Sequence, residues 1–94
     1  MIRPSEAWVW RRLADGGAFV VHRPTGDHMT VNRAAADLLG ALADGAQPAD
    51  CAASLVDRYR IPPARATADV AAIIAALTDA GVLLAPEDDD VHRA

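Results

Sequence analysis

Along the first third of the chain, apolar residues fall in short runs broken by turn signals, and along the rest they recur at helical spacing. Ala7–Leu13 carries Trp8, Val9, Trp10 and Leu13, which suits a strand. Asp15-Gly16-Gly17 is a turn signal, because glycine accepts positive φ without steric cost. Ala18–His22 follows with Phe19, Val20 and Val21, and Pro24-Thr25-Gly26-Asp27 makes a second turn. His28–Val31 alternates, with Met29 and Val31 on one face and His28 and Thr30 on the other. Three short strands joined by tight turns predict an antiparallel meander, whose first and third strands are edges unless something covers them.

Beyond Val31 the period changes. Asn32 is a good N-cap for a helix over roughly Arg33–Ala43, with Ala35, Leu38, Leu39 and Leu42 on one face. Asp44-Gly45 ends it, the glycine suiting a left-handed C-terminal position. Pro48 fits the first turn of a second helix that runs to about Tyr59, with Ala52, Leu55, Val56 and Tyr59 as its stripe. Ile61-Pro62-Pro63 breaks the chain and starts a third helix over about Ala64–Ala80. Its face of Ala66, Val70, Ile73, Ile74 and Leu77 is the clearest amphipathic stripe in the sequence. Gly81 stops this helix, and Val82-Leu83-Leu84 is expected to return onto the core. The predicted architecture is α+β, a three-stranded antiparallel sheet followed by three helices, resembling a winged helix-turn-helix with the sheet placed first. Residues 1–86 are read as one domain, and 87–94, with Asp88-Asp89-Asp90, as an acidic, disordered tail.

Charge and composition then remove whole classes of function. The 94 residues carry a net charge of −4, which argues against a nucleic-acid binder, since such proteins display a basic face. Every basic residue is an arginine, so no Schiff-base or P-loop lysine is available. Cys51 is the only cysteine, which excludes an internal disulfide and a thiolate cluster and suits a reducing, cytoplasmic compartment. Met1–Glu6 lacks the apolar stretch of a signal peptide, and the longest apolar run, Val70–Leu77, is too short to span a bilayer. The hydrophobic fraction is 52%, but much of it is alanine, so the core is expected to be modest.

Reactive constellations are scarce. His22 and His28 flank the second turn, an incomplete metal site that reads as two exposed histidines at a hairpin end. Cys51 sits early in a helix, where the dipole lowers a thiol pKa, but no nucleophile signature surrounds it. Ser5, Ser54, Thr25, Thr30 and Thr67 lie in no nucleophile-elbow or P-loop context, and the three aspartates of the tail lack calcium-loop spacing. Trp8 and Trp10 share a strand face that reads as core, with a partner-binding patch as the alternative. Asp69 is either a solvated helix residue or an anchor for a ligand. A chain with a core and no reactive constellation reads as a binder, not an enzyme.

The stretch from about Gly17 to Leu84 resembles the PqqD family, also called the RiPP recognition element. The residues that carry the resemblance are Val20–Gly26, Val31-Asn32 at the strand-to-helix junction, Leu38–Gly45, Leu55–Ile61, Ala68-Asp69-Val70, Leu77, and Ala80–Leu83. One departure is His28-Met29-Thr30, where many members carry an aromatic residue, so peptide preference is expected to differ. The resemblance implies a winged-helix-like fold that binds the leader segment of a ribosomally made precursor peptide. It then delivers the leader to a modifying enzyme or leader protease, as in pyrroloquinoline quinone or lasso peptide biosynthesis. It further implies no catalytic residues and no cofactor.

An open edge at His28, Met29, Thr30 and Val31 offers unpaired backbone groups, so an extended leader is expected to add there as a strand. The third helix is expected to lie alongside, with Asp69, Ala72, Ile73 and Ala76 lining a groove and Arg65, Asp69 and Arg33 adding charge complementarity. Two rival readings are a DNA-binding winged helix and a dimerisation or scaffold module. The alanine-rich third helix opposes the first, since a recognition helix displays Arg, Asn or Gln. Exchange of strands between copies would make a homodimer.

Overall fold

The computed structural model of the chain describes residues 2–84. The tail expected at 87–94, and the first and the last two residues of the domain read as 1–86, lie outside the described residues. The element order is β1 (Arg3–Pro4), β2 (Trp8–Arg12), β3 (Ala18–His22), β4 (His28–Val31), α1 (Arg33–Ala43), α2 (Pro48–Tyr59), α3 (Pro63–Asp79) and β5 (Leu83–Leu84). The α+β arrangement of a three-stranded sheet and three helices is therefore as expected, with each boundary within a residue or so.

β2, β3 and β4 form an antiparallel meander in that order. Gly16, at φ 95°, and Gly26, at φ 80°, turn the two hairpins. At Gly17 the demand is space: a Cβ there would lie 2.4 Å from the Val31 carbonyl oxygen, so only glycine lets the strands close. Trp8 and Trp10 are half-buried and pack against the core, as the structural reading of their face expects. A second, two-stranded sheet was not expected. β1 pairs antiparallel with β5, Arg3 opposite Leu84 and Pro4 opposite Leu83, and the Ser5 N–H donates to the Val82 carbonyl at 2.8 Å. The N-terminal segment is thereby tied to the exit of the last helix.

The first two helices begin where their caps place them. The Asn32 side chain accepts from the Ala35 N–H at 2.9 Å and starts α1. Pro48 occupies the first turn of α2, and the Gln47 N–H donates to the Asp50 carboxylate at 3.0 Å. Arg60 ends α2 in the left-handed region, at φ 57°. Leu39, Leu42, Val20, Val82 and Leu83 are the largest fully buried side chains, so the core lies between the sheet's inner face and the helices. Leu38, Leu55, Val70 and Leu77 extend it across all three helices.

Candidate functional site

The sheet order puts β4 on a margin, and among the described residues no strand pairs with its outer side. Its hydrogen-bonding parity follows from the ladder. The Leu13 N–H donates to the Gly17 carbonyl at 2.9 Å and the Arg23 N–H to the Ala7 carbonyl at 2.8 Å, across β2 and β3. The His22 N–H donates to the Asp27 carbonyl at 2.7 Å, across β3 and β4. Bonded pairs in an antiparallel ladder recur at every second residue. The pairs Val20–Met29 and Ala18–Val31 are therefore bonded, and the backbone groups of Met29 and Val31 are used inside the sheet. Those of His28 and Thr30 face outward, so the margin offers two N–H donors and two carbonyl acceptors. Side chains follow the pleat: Met29 and Val31 are half-buried against the core, whereas His28 and Thr30 are exposed.

On α3, Ile73 is half-buried against the core and Ala72 and Ala76 are exposed. The Arg65 Nε stands 3.8 Å from an Asp69 carboxylate oxygen, one helical turn on, and both side chains are solvated. Asp69 is thus a helix-surface residue with a neighbouring cation. Arg33 is engaged elsewhere: its guanidinium donates to the Asp15 carbonyl at 3.2 Å and covers the β2–β3 turn.

A cleft of about 310 Å³ opens beside α3, and sequence reasoning did not find it. Ala34, Asp37 and Gly40 of α1, Ser54 and Arg58 of α2, and Arg12 of β2 stand around it, while Leu38, Leu55, Val70 and Ile73 supply its apolar surface. Of the expected site residues, Ile73 lines this cleft, and no residue of β4 does. Asp37 holds its rim together, its two carboxylate oxygens accepting from Arg12 and Arg58 respectively. Arg12 also donates to the Gly16 carbonyl, which fixes it to the β2–β3 turn. Partial burial pushes the Asp37 carboxyl upward, but the Arg12 hydrogen bond and the charges of Arg58 and Arg12 outweigh it, so its pKa lies below the ordinary 3.8. These three residues are 25 and 21 positions apart in sequence, so no local pattern announces the cluster. The one local signal was Gly40, a glycine inside a helix.

Among the described residues the remaining candidates do not converge on one place. The His22 ring packs on Trp8, centroids 4.9 Å apart, on the core side of the sheet. His28 packs on Phe19 at 5.4 Å, on the solvent side, so the two imidazoles diverge. Among the described residues no group of three or more His, Cys, Asp or Glu side chains could hold a metal ion. Cys51 is buried, and burial with the nearby Asp50 charge pushes its thiol pKa up, in keeping with its reading as a small core residue without a nucleophile signature. Among the described residues no helix is long and apolar enough to cross a membrane.

The family model described as coenzyme PQQ synthesis protein D (PqqD) matches residues 17–83. No curated protein matches the chain. Two solved structures share its fold. One is lasso peptide synthetase B1 complexed with the leader peptide, at 27% identity and a TM-score of 0.80, covering 89% of this chain and 98% of that one. The other is TbiB1 in complex with the TbiA(beta) leader peptide, at 18% identity and a TM-score of 0.78, covering 86% and 93%.

Proposed function

The chain belongs to the PqqD family, and from that premise we propose that it is an adaptor that holds the leader segment of a ribosomally made precursor peptide. Two proteins of the same fold are bound to leader peptides, and one of them belongs to lasso peptide biosynthesis. The observation that carries the reading is the outward-facing backbone of His28 and Thr30 on an unpaired strand. An extended leader docks there as a fourth strand, its N–H and carbonyl groups completing the ladder. His28 and Thr30 flank it on the solvent face, while Arg65, Asp69, Ala72, Ile73 and Ala76 contribute the helical side of the site. PqqD-like leader binders are in general non-catalytic partners, and this chain is read the same way: it presents the leader to a modifying enzyme or leader protease and adds no reactive group of its own.

Thr30→Pro tests this. The substitution removes one outward N–H and leaves the inward ladder of Met29 and Val31 intact, and edge strands tolerate proline. Titration calorimetry with a leader peptide that the unsubstituted chain binds should show binding weakened about threefold to tenfold, the worth of one hydrogen bond. Unchanged affinity in a variant with unchanged circular dichroism would rule out strand addition at β4.

A further inference from the structure

Gly40 stands in the interior of an 11-residue helix, yet nothing lies within 4 Å of where its Cβ would be. It carries no positive φ, unlike Gly16, Gly26, Gly45 and Gly81. Neither a turn nor a close contact therefore requires a glycine, and glycine is a poor residue for a helix interior. What its missing side chain leaves is open volume, and that volume belongs to the cleft of about 310 Å³. The rim of the cleft is charged in one direction. Asp37 has both oxygens occupied, by Arg12 and by Arg58, so two cations face one anion. The Nε and Nη2 groups of Arg58 have no partner among the described residues, and its side chain is 56% exposed. Below the rim the surface is apolar, with Leu38, Leu55, Val70 and Ile73.

We infer that this cleft is a second recognition site, which receives a peptide segment carrying a carboxylate side chain next to an apolar one. The apolar side chain fills the space beside Gly40, and the carboxylate meets Arg58, whose position Asp37 fixes in advance. Pairing with Asp37 holds the guanidinium at the mouth before the ligand arrives, which lowers the ordering cost of binding. The inference rests on the adaptor reading for the source of the peptide: Ala34, at the wall of the cleft, follows Val31, the end of β4, by three residues. A leader lying on β4 therefore has the cleft beyond one end of its strand.

The test is a 1H–15N titration of the full chain with acetyl-Leu-Glu-Leu-amide and with its glutamine analogue. The acidic peptide is expected to perturb the amides of Ala34, Gly40 and Ser54 and to bind about threefold tighter than the analogue, the size of an exposed ion pair. Arg58→Gln should erase that difference. Gly40→Leu, which favours the helix while filling the space, should weaken both peptides about tenfold or more. Thr30→Pro should leave tripeptide binding unchanged. Equal affinity for the two peptides, perturbations away from the cleft, or full binding by folded Gly40→Leu would each overturn the inference. Failure of the adaptor reading shows separately, as a full leader that leaves the His28–Val31 amides unmoved.

Discussion

Single residues in this protein do work that their local sequence hides, and Asp37 is the strongest case. Its carboxylate joins β2, α1 and α2 through two guanidiniums, each about half exposed, so each pair contributes only about 0.2–1 kcal/mol. Its folded pKa is depressed below 3.8, so the protonated form is disfavoured in the native state. That stabilisation is complete above the unfolded carboxyl value and fades as pH falls through the folded one. Acid titration of the wild type should therefore show thermal stability dropping below about pH 4, and Asp37→Asn should flatten that part of the profile at a cost of about 1 kcal/mol near neutrality. An unaltered profile would mean the cluster is solvated and idle. Arg60 presents the opposite case, a side chain in the left-handed region where a Cβ is unfavourable. Arg60→Gly should raise stability by about 0.5–1 kcal/mol, read as a higher urea midpoint at constant slope.

At the scale of elements, α1 bears a defect that contributes nothing to folding. Gly40→Ala should stabilise the chain by about 0.5–1 kcal/mol, since the new methyl meets no atom and the helix gains propensity. A loss of stability in thermal unfolding would show that the space is needed by the fold itself. The helices and the meander were legible in the sequence because each has its own local signal. Asn32, Pro48 and the Pro62-Pro63 pair mark helix starts, Gly45 and Gly81 mark ends, and the stripes of α1 and α3 have helical period. The β1–β5 pair was not legible, because two residues are too few to show a period and one of them is a proline. β4 was recognisable as an edge from strand order alone, yet the outward parity of His28 and Thr30 required the hydrogen bonds at His22 and Leu13. The cleft escaped because its walls come from four elements and its rim from residues far apart in the chain.

For the molecule as a whole, the alanine-rich core limits how stable the unbound chain can be. Ala18, Ala35, Ala36 and Ala66 take up buried positions with little apolar area, and the largest fully buried side chains are leucines and valines, with no aromatic among them. Domains of this size commonly hold only about 5–15 kcal/mol of net stability, and this core belongs at the low end of that range. A ligand that binds only the folded state then contributes a large share. At a free leader concentration of about 100 times Kd, linkage adds about 2.7 kcal/mol. For a chain of this length that amounts to a rise of about 10–20 °C in Tm. The rise should grow with the logarithm of leader concentration, be absent with a scrambled peptide, and be smaller for Thr30→Pro at the same concentration. A leader that binds by calorimetry yet leaves Tm unmoved would have to bind the unfolded chain equally well, which a docked strand cannot do, because the margin it pairs with exists only when β2, β3 and β4 are assembled.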